Sequence, residues 1–261
     1  MAPVTATYRM ISARFSPAVE FARWLFVREG VAFREEAHVP GLHRLATASV
    51  RGGAELPVIV TPDGAVWRGA REMLDGLDGL SPPGRKLFGE TSAARDANQA
   101  LLAALLTGLL TPVPRFIYPP LLANRRALLP AMTHRAPVWE RGFVNLFYPL
   151  WRVLMARGLG ATPELLAQAP KAIEAVLSRV EAELARRGTP FLGGAAPGVP
   201  DIAFAALAGP LVLPRNYGAR LPAMEDLPDA LQSFVKATRA RPAGDLVLRT
   251  YDAARFANAS A

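Results

Sequence analysis

Leu56-Pro57-Val58-Ile59-Val60 is the stretch in which residue type and spacing most directly suggest chemistry. A proline cannot donate to a sheet, so it belongs at an edge, a bulge or the first residue of a strand. If the bond before Pro57 is cis, Leu56 turns its N–H and C=O outward, where they can pair with an extended peptide. An ordinary hairpin with a trans bond is the competing reading, and local sequence alone favours it. Ser16-Pro17 is the second candidate. Serine followed by proline reads as an N-cap and first helical position, which sets a hydroxyl at a helix start.

Other chemistry is excluded by composition. The chain has no cysteine, which removes disulfides, thiolate nucleophiles, Cys-ligated zinc and iron–sulfur clusters. His38, His43 and His134 lack ligand spacing, so no metal site is expected. The net charge of +8 would suit an anionic small molecule in a positive cleft. Its arginines are scattered without interleaved aromatics, so no nucleic-acid partner is expected. The first five residues show no basic segment leading into an apolar one. The uncharged run 97–114 falls short of the roughly 20 residues a spanning helix needs, and Pro112 and Pro114 end it. A soluble, cytoplasmic protein with no membrane partner is the expectation.

The elements that must position these residues follow a clear order. Residues 8–13 read as a strand and 18–29 as a helix closed by Gly30. A second strand spans 32–39, and 40–51 is a polar connector. Pro62-Asp63-Gly64 turns the hairpin that contains Pro57, and 70–80 forms a helix with Met73, Leu74 and Leu77 inward. Ser81-Pro82-Pro83-Gly84 opens a linker. Beyond it the pattern is helical: 93–110, 138–157, 163–187, 200–208, 229–239 and 246–256. The proline-rich segment 111–130 interrupts it as a looped excursion. A small α/β unit (1–80), a linker (81–92) and an all-helical unit (93–261) are therefore expected.

This order resembles the glutathione transferase superfamily over nearly the whole chain. The likeness rests on Ser16-Pro17, Arg28-Glu29-Gly30, Leu56-Pro57-Val58, Asp63-Gly64, Met73 and Leu77. Further along it rests on Pro190-Phe191-Leu192-Gly193-Gly194 and Val199-Pro200-Asp201-Ile202-Ala203-Phe204. It implies a thioredoxin-like βαβ-ββα domain with a glutathione site, an all-α domain lining an acceptor pocket, and a homodimer. It also favours the cis form at Pro57. Glutathione would be the co-substrate, with Ser16 donating to its sulfur beside the helix N-terminus and the thiolate attacking an electrophilic small molecule. Tyr8 and Ser12 are weaker candidates for the hydroxyl, and Arg14 would add positive potential. Asp201 is expected to cap a buried helix, with Gly198 where Ser or Thr is usual.

One departure stands out. The family's acidic-or-Gln-then-Ser pair, which holds the γ-glutamyl group, falls on Gly69 and Ala70. Only main-chain amides remain there, flanked by Arg68 and Arg71, which could take a carboxylate instead. A degraded site on a non-catalytic binding or scaffold protein is the alternative reading. Arg115, Phe116, Tyr118 and Trp139 are the candidates for the acceptor pocket.

Overall fold

The structure is a computed structural model that describes residues 7–254. Ser16 and Pro17 do start a helix: Ser16 is extended (φ −69°, ψ 127°) and Pro17 is the first residue of α1 (Pro17–Arg28). Gly30 (φ +67°) ends it in the left-handed conformation that glycine adopts without strain. The helix joins parallel strands β1 (Tyr8–Ser12) and β2 (Phe33–Ala37). After α2 (His43–Ser49), the hairpin of β3 (Val58–Val60) and β4 (Val66–Arg68) completes a sheet in the order β2-β1-β3-β4. β3 is antiparallel to both β1 and β4, and α3 (Gly69–Leu80) follows.

Residues 81–91 lead to the helices. α4 (Ser92–Leu109) is capped by the Thr91 hydroxyl, which accepts from the amide of Ala94. The expected looped excursion is instead helical: α5 (Pro112–Leu121) and α6 (Arg125–Thr133) occupy it. Pro112 and Pro114 fall in the first turn of α5, where amides have no helical acceptor, so proline there removes no bond. The residues expected as one helix over 138–157 form two, α7 (Val138–Leu146) and α8 (Tyr148–Gly158). Phe147 breaks the run (φ −108°, ψ 31°), and Pro149 falls in the first turn of the second helix.

α9 (Pro163–Arg187), α10 (Val199–Val212), α11 (Asp229–Arg239) and α12 (Pro242–Ala254) complete the bundle. The end of the last helix expected from sequence lies outside the described residues, as do the first five residues. Every residue of α10 is buried, and this helix packs against α1, α4 and α12. Asp201 at its first turn accepts from the amides of Leu192 (2.7 Å), Gly193 (2.7 Å) and Gly198 (2.8 Å). It therefore ties the preceding loop to the helix that forms the middle of the core. By length and composition the run Ser92–Leu121 is apolar enough to cross a membrane. Here it packs against α9 and α10.

Candidate functional site

Strand register brings four chain segments to one end of the sheet. Ile11 lies opposite Val58, Ser12 opposite Ala37, and Val58 opposite Arg68. The loop 13–16, residues 38–40, the pair Leu56-Pro57 and the start of α3 therefore meet there. The Leu56–Pro57 bond is cis. The Pro57 carbonyl accepts from the amide of Gly69 (2.9 Å). Among the described residues nothing pairs with the main-chain N–H and C=O of Leu56.

Ser16 is half-buried, and its hydroxyl makes no capping bond to α1. Its carbonyl already accepts from Val19 (3.1 Å) and Glu20 (3.0 Å), so the side chain is the uncommitted group at this helix start. The loop is fixed from behind by Tyr118 of α5, whose hydroxyl donates to the Phe15 carbonyl (3.2 Å) and whose ring packs on Phe15. Burial pushes the Tyr118 hydroxyl's pKa well up, so it stays a proton donor.

Arg14 is committed elsewhere. It donates to Glu35 Oε2 (2.9 Å) and to the Gly218 carbonyl (2.8 Å). Glu35 also takes Arg23 and the Ser12 hydroxyl (2.6 Å), and Arg23 reaches Glu20 Oε2 (3.0 Å). Burial alone raises the Glu35 carboxyl. Its bonds to Arg23 and Ser12 and the charge of Arg14 outweigh that and hold it below the ordinary range. Glu20 in turn accepts from the amide of Gly218 (3.0 Å), so the network joins the sheet unit to the helical unit beneath the Ser16 loop. Sequence reasoning did not find it. Its one signal was the pair Glu20 and Arg23 inside an otherwise apolar helix.

At the start of α3, Gly69 has φ +66°. A Cβ on Gly69 would stand 2.7 Å from Glu55 Oε2, so that carboxylate fills the space where a residue-69 side chain would begin. Ala70 is buried. Arg68 folds back to the Arg51 carbonyl (3.2 Å) and Glu72 (3.5 Å). Arg71 instead lines a cavity of ≈ 240 Å³ between α3 and α4 with Asp75, Phe88 and Gln99. The two arginines diverge.

The acceptor-pocket candidates are likewise dispersed. Arg115 donates to the Leu159 carbonyl (2.8 Å), and Phe116 packs on Phe234 of α11 (4.5 Å). Tyr118 sits behind the Ser16 loop, and Trp139 stands exposed on α7. The residues that bring α7 and α8 to the site end are different ones. Buried Glu140 accepts from the Val39 amide (2.6 Å) and bonds His38 Nδ1 (2.6 Å), and Trp151 donates to the Pro40 carbonyl (2.9 Å). Burial lowers the pKa of His134 at the end of α6, and Arg14, Arg135 and Arg220 add to the effect. Among the described residues no group of three His, Cys, Asp or Glu side chains could hold a metal ion.

No protein-family model and no curated protein matches the chain in sequence. Solved structures do match its fold. A glutathione S-transferase from Methylobacterium radiotolerans, in complex with glutathione sulfonate, is 18% identical, with a TM-score of 0.55 over 95% of this chain and 94% of that one. One from Ceriporiopsis subvermispora, in complex with glutathione, is 12% identical, with a TM-score of 0.57 over 94% and 95%. The β-etherase LigF from Sphingobium sp. strain SYK-6 is 16% identical, with a TM-score of 0.56 over 93% and 99%. The chain has the fold of the glutathione transferase superfamily: a thioredoxin-like domain followed by a helical one.

Proposed function

We propose that the protein is a glutathione-dependent transferase acting on an electrophilic small molecule. The observation that carries this reading is the free main chain of Leu56 at the same sheet end as the uncommitted Ser16 hydroxyl. Leu56 would pair with the cysteinyl unit of glutathione as one strand pairs with another. Ser16 and the N-terminus of α1 would stabilise its thiolate. The thiol proton passes to solvent and the sulfur forms a bond to the electrophilic carbon; a displaced halide departs with the electron pair of the broken bond, or the oxygen of an opened epoxide keeps that pair and takes up a proton. Solved relatives of this fold hold glutathione or its sulfonate, which supports the same reading.

At the γ-glutamyl end the fit is of a different kind. The Gly69 amide is held by the Pro57 carbonyl, so the Ala70 amide in the first turn of α3 is the one offered to a carboxylate, and Glu55 stands beside it as an acceptor for the ammonium group. Arg68 and Arg14 are turned to other partners and Arg71 lines the cavity between α3 and α4, so the three take no part in this reading. A homodimer, which the resemblance implies, and a cytoplasmic location, which the composition suggests, belong to the proposal. Assay of an aryl halide and epoxide panel with glutathione is the test. Turnover that falls at least about tenfold in Ser16→Ala supports it. The divergent arginines favour a second reading, a non-catalytic ligand carrier on the same fold. Turnover by the native protein that Ser16→Ala abolishes would exclude it.

A further inference from the structure

α8 has its apolar faces on both sides. Tyr148, Trp151 and Met155 point into the fold, while Leu150, Val153 and Leu154 point out. Of the nine large apolar side chains exposed among the described residues, seven lie between 138 and 154. Leu146 is 75% exposed and Leu150 53%, so these are not edges of the core but an uncovered surface. Trp139, at 56%, is a further exposed apolar side chain, on α7.

Charge on this part of the chain is equally one-sided. Residues 111–162 contain seven arginines and one acid, Glu140. That acid is buried against His38 and Val39, so it offers no negative charge at the surface. Six of the chain's eight net positive charges thus fall in a fifth of its length. Arg141, Arg152 and Arg157 are exposed on the two helices themselves. Beside Leu146 lies an open depression of ≈ 490 Å³ lined by Arg125, Arg126, Thr133 and Asn145. The Thr133 hydroxyl and the Asn145 amide donate within the fold, to the Leu129 and Arg141 carbonyls, and Asn145 holds Arg125 in place; the guanidinium groups of Arg125 and Arg126 are the donors suited to a phosphodiester.

We propose that α7 and α8 seat the protein on an anionic phospholipid surface. Leu150, Leu154 and Trp139 enter the headgroup boundary, and the depression beside Leu146 takes a lipid phosphate. The combination of an apolar helical face, an aromatic ring and arginines with no exposed acid on α7 or α8 is what an interfacial helix requires; the nearest exposed acid shown is Asp226, whose carbonyl Asn124 meets at the start of α6. It is unlike a soluble helix, whose outer face is polar. Because α7 and α8 also close on residues 38–40, docking brings the site end of the sheet beside the membrane, within reach of apolar substrates dissolved there.

The test is co-sedimentation of the full chain with phosphatidylcholine vesicles that do or do not contain phosphatidylglycerol. Binding to the anionic vesicles alone, weakened by salt, is expected. So is a blue shift of tryptophan emission that disappears in Trp139→Phe. Leu150→Asp combined with Leu154→Asp, and separately Arg152→Glu combined with Arg157→Glu, should each weaken vesicle binding at least about tenfold. All four positions are exposed, so unchanged thermal melts are expected to accompany these losses. No binding to either vesicle, or equal binding to both, overturns the proposal. A native dimer that Leu150→Asp with Leu154→Asp converts to monomer, without lipid binding, would assign the face to a second copy instead and overturn it too.

Discussion

Ser12 and Ser16 are four residues apart and have opposite fates. Ser12 is fully buried, and its hydroxyl donates to Glu35 within a network that also takes in Arg14, Arg23 and Glu20. Ser16 is half-buried and its hydroxyl caps nothing. The same contrast holds between the regions around them. Beneath the loop, each carboxylate of the network meets a donor, and the sheet unit is locked to the helices. At the sheet end, the Leu56 main chain and the Ser16 side chain have no partner among the described residues. Polar groups that pair inside the fold hold it together, and those left unpaired at its edge are available to a ligand.

Substitutions can break this comparison from the inside. Replacing Arg23 by Met leaves the Glu20 and Glu35 carboxylates buried without their main counter-ion. About 3–5 kcal/mol of stability should be lost, measured by urea unfolding. Asp201→Ala removes the buried acceptor of three amides, of which that of Leu192 is itself buried, and should cost about 2–4 kcal/mol in the same experiment. Acid tests the network more gently. The Glu35 carboxyl titrates below its ordinary value in the folded state, so its contribution is complete above the unfolded pKa of about 4.3. That contribution is lost as pH falls through the folded value. Glu35→Gln should therefore be less stable at neutral pH and show a shallower decline below about pH 4, followed by thermal melts across pH. Ser16→Ala should have the smallest structural effect, under about 0.5 kcal/mol, because no capping bond exists to lose. A larger loss of stability there would place Ser16 with Ser12 and erase the contrast.

The element order up to residue 80, the helix start at Ser16-Pro17 and the Asp201 anchor were legible in the sequence, because each depends on a local rule. The segment 111–133 was not. Its prolines read as breaks, yet Pro112 and Pro114 occupy a first turn that has no amide bonds to lose. The division of 138–158 at Phe147 was missed because apolar spacing continues across it, and only Pro149 hinted at a fresh start. The fates of the arginines were hidden for another reason. Whether Arg14 faces a ligand or Glu35 depends on a strand 21 residues away, and the direction of Arg71 depends on how α4 packs. Spacing along the chain carries no trace of such pairings. The outward face of α8 was visible as spacing, but the same spacing describes a core stripe, and only its position outside the fold separates the two.

The account turns on whether the main chain at Leu56 receives a peptide. Amide hydrogen exchange at that residue tests this directly, with and without saturating glutathione. Rapid exchange in the protein alone and marked slowing with glutathione is the predicted result. Equal exchange in both, with glutathione demonstrably in excess, would contradict it.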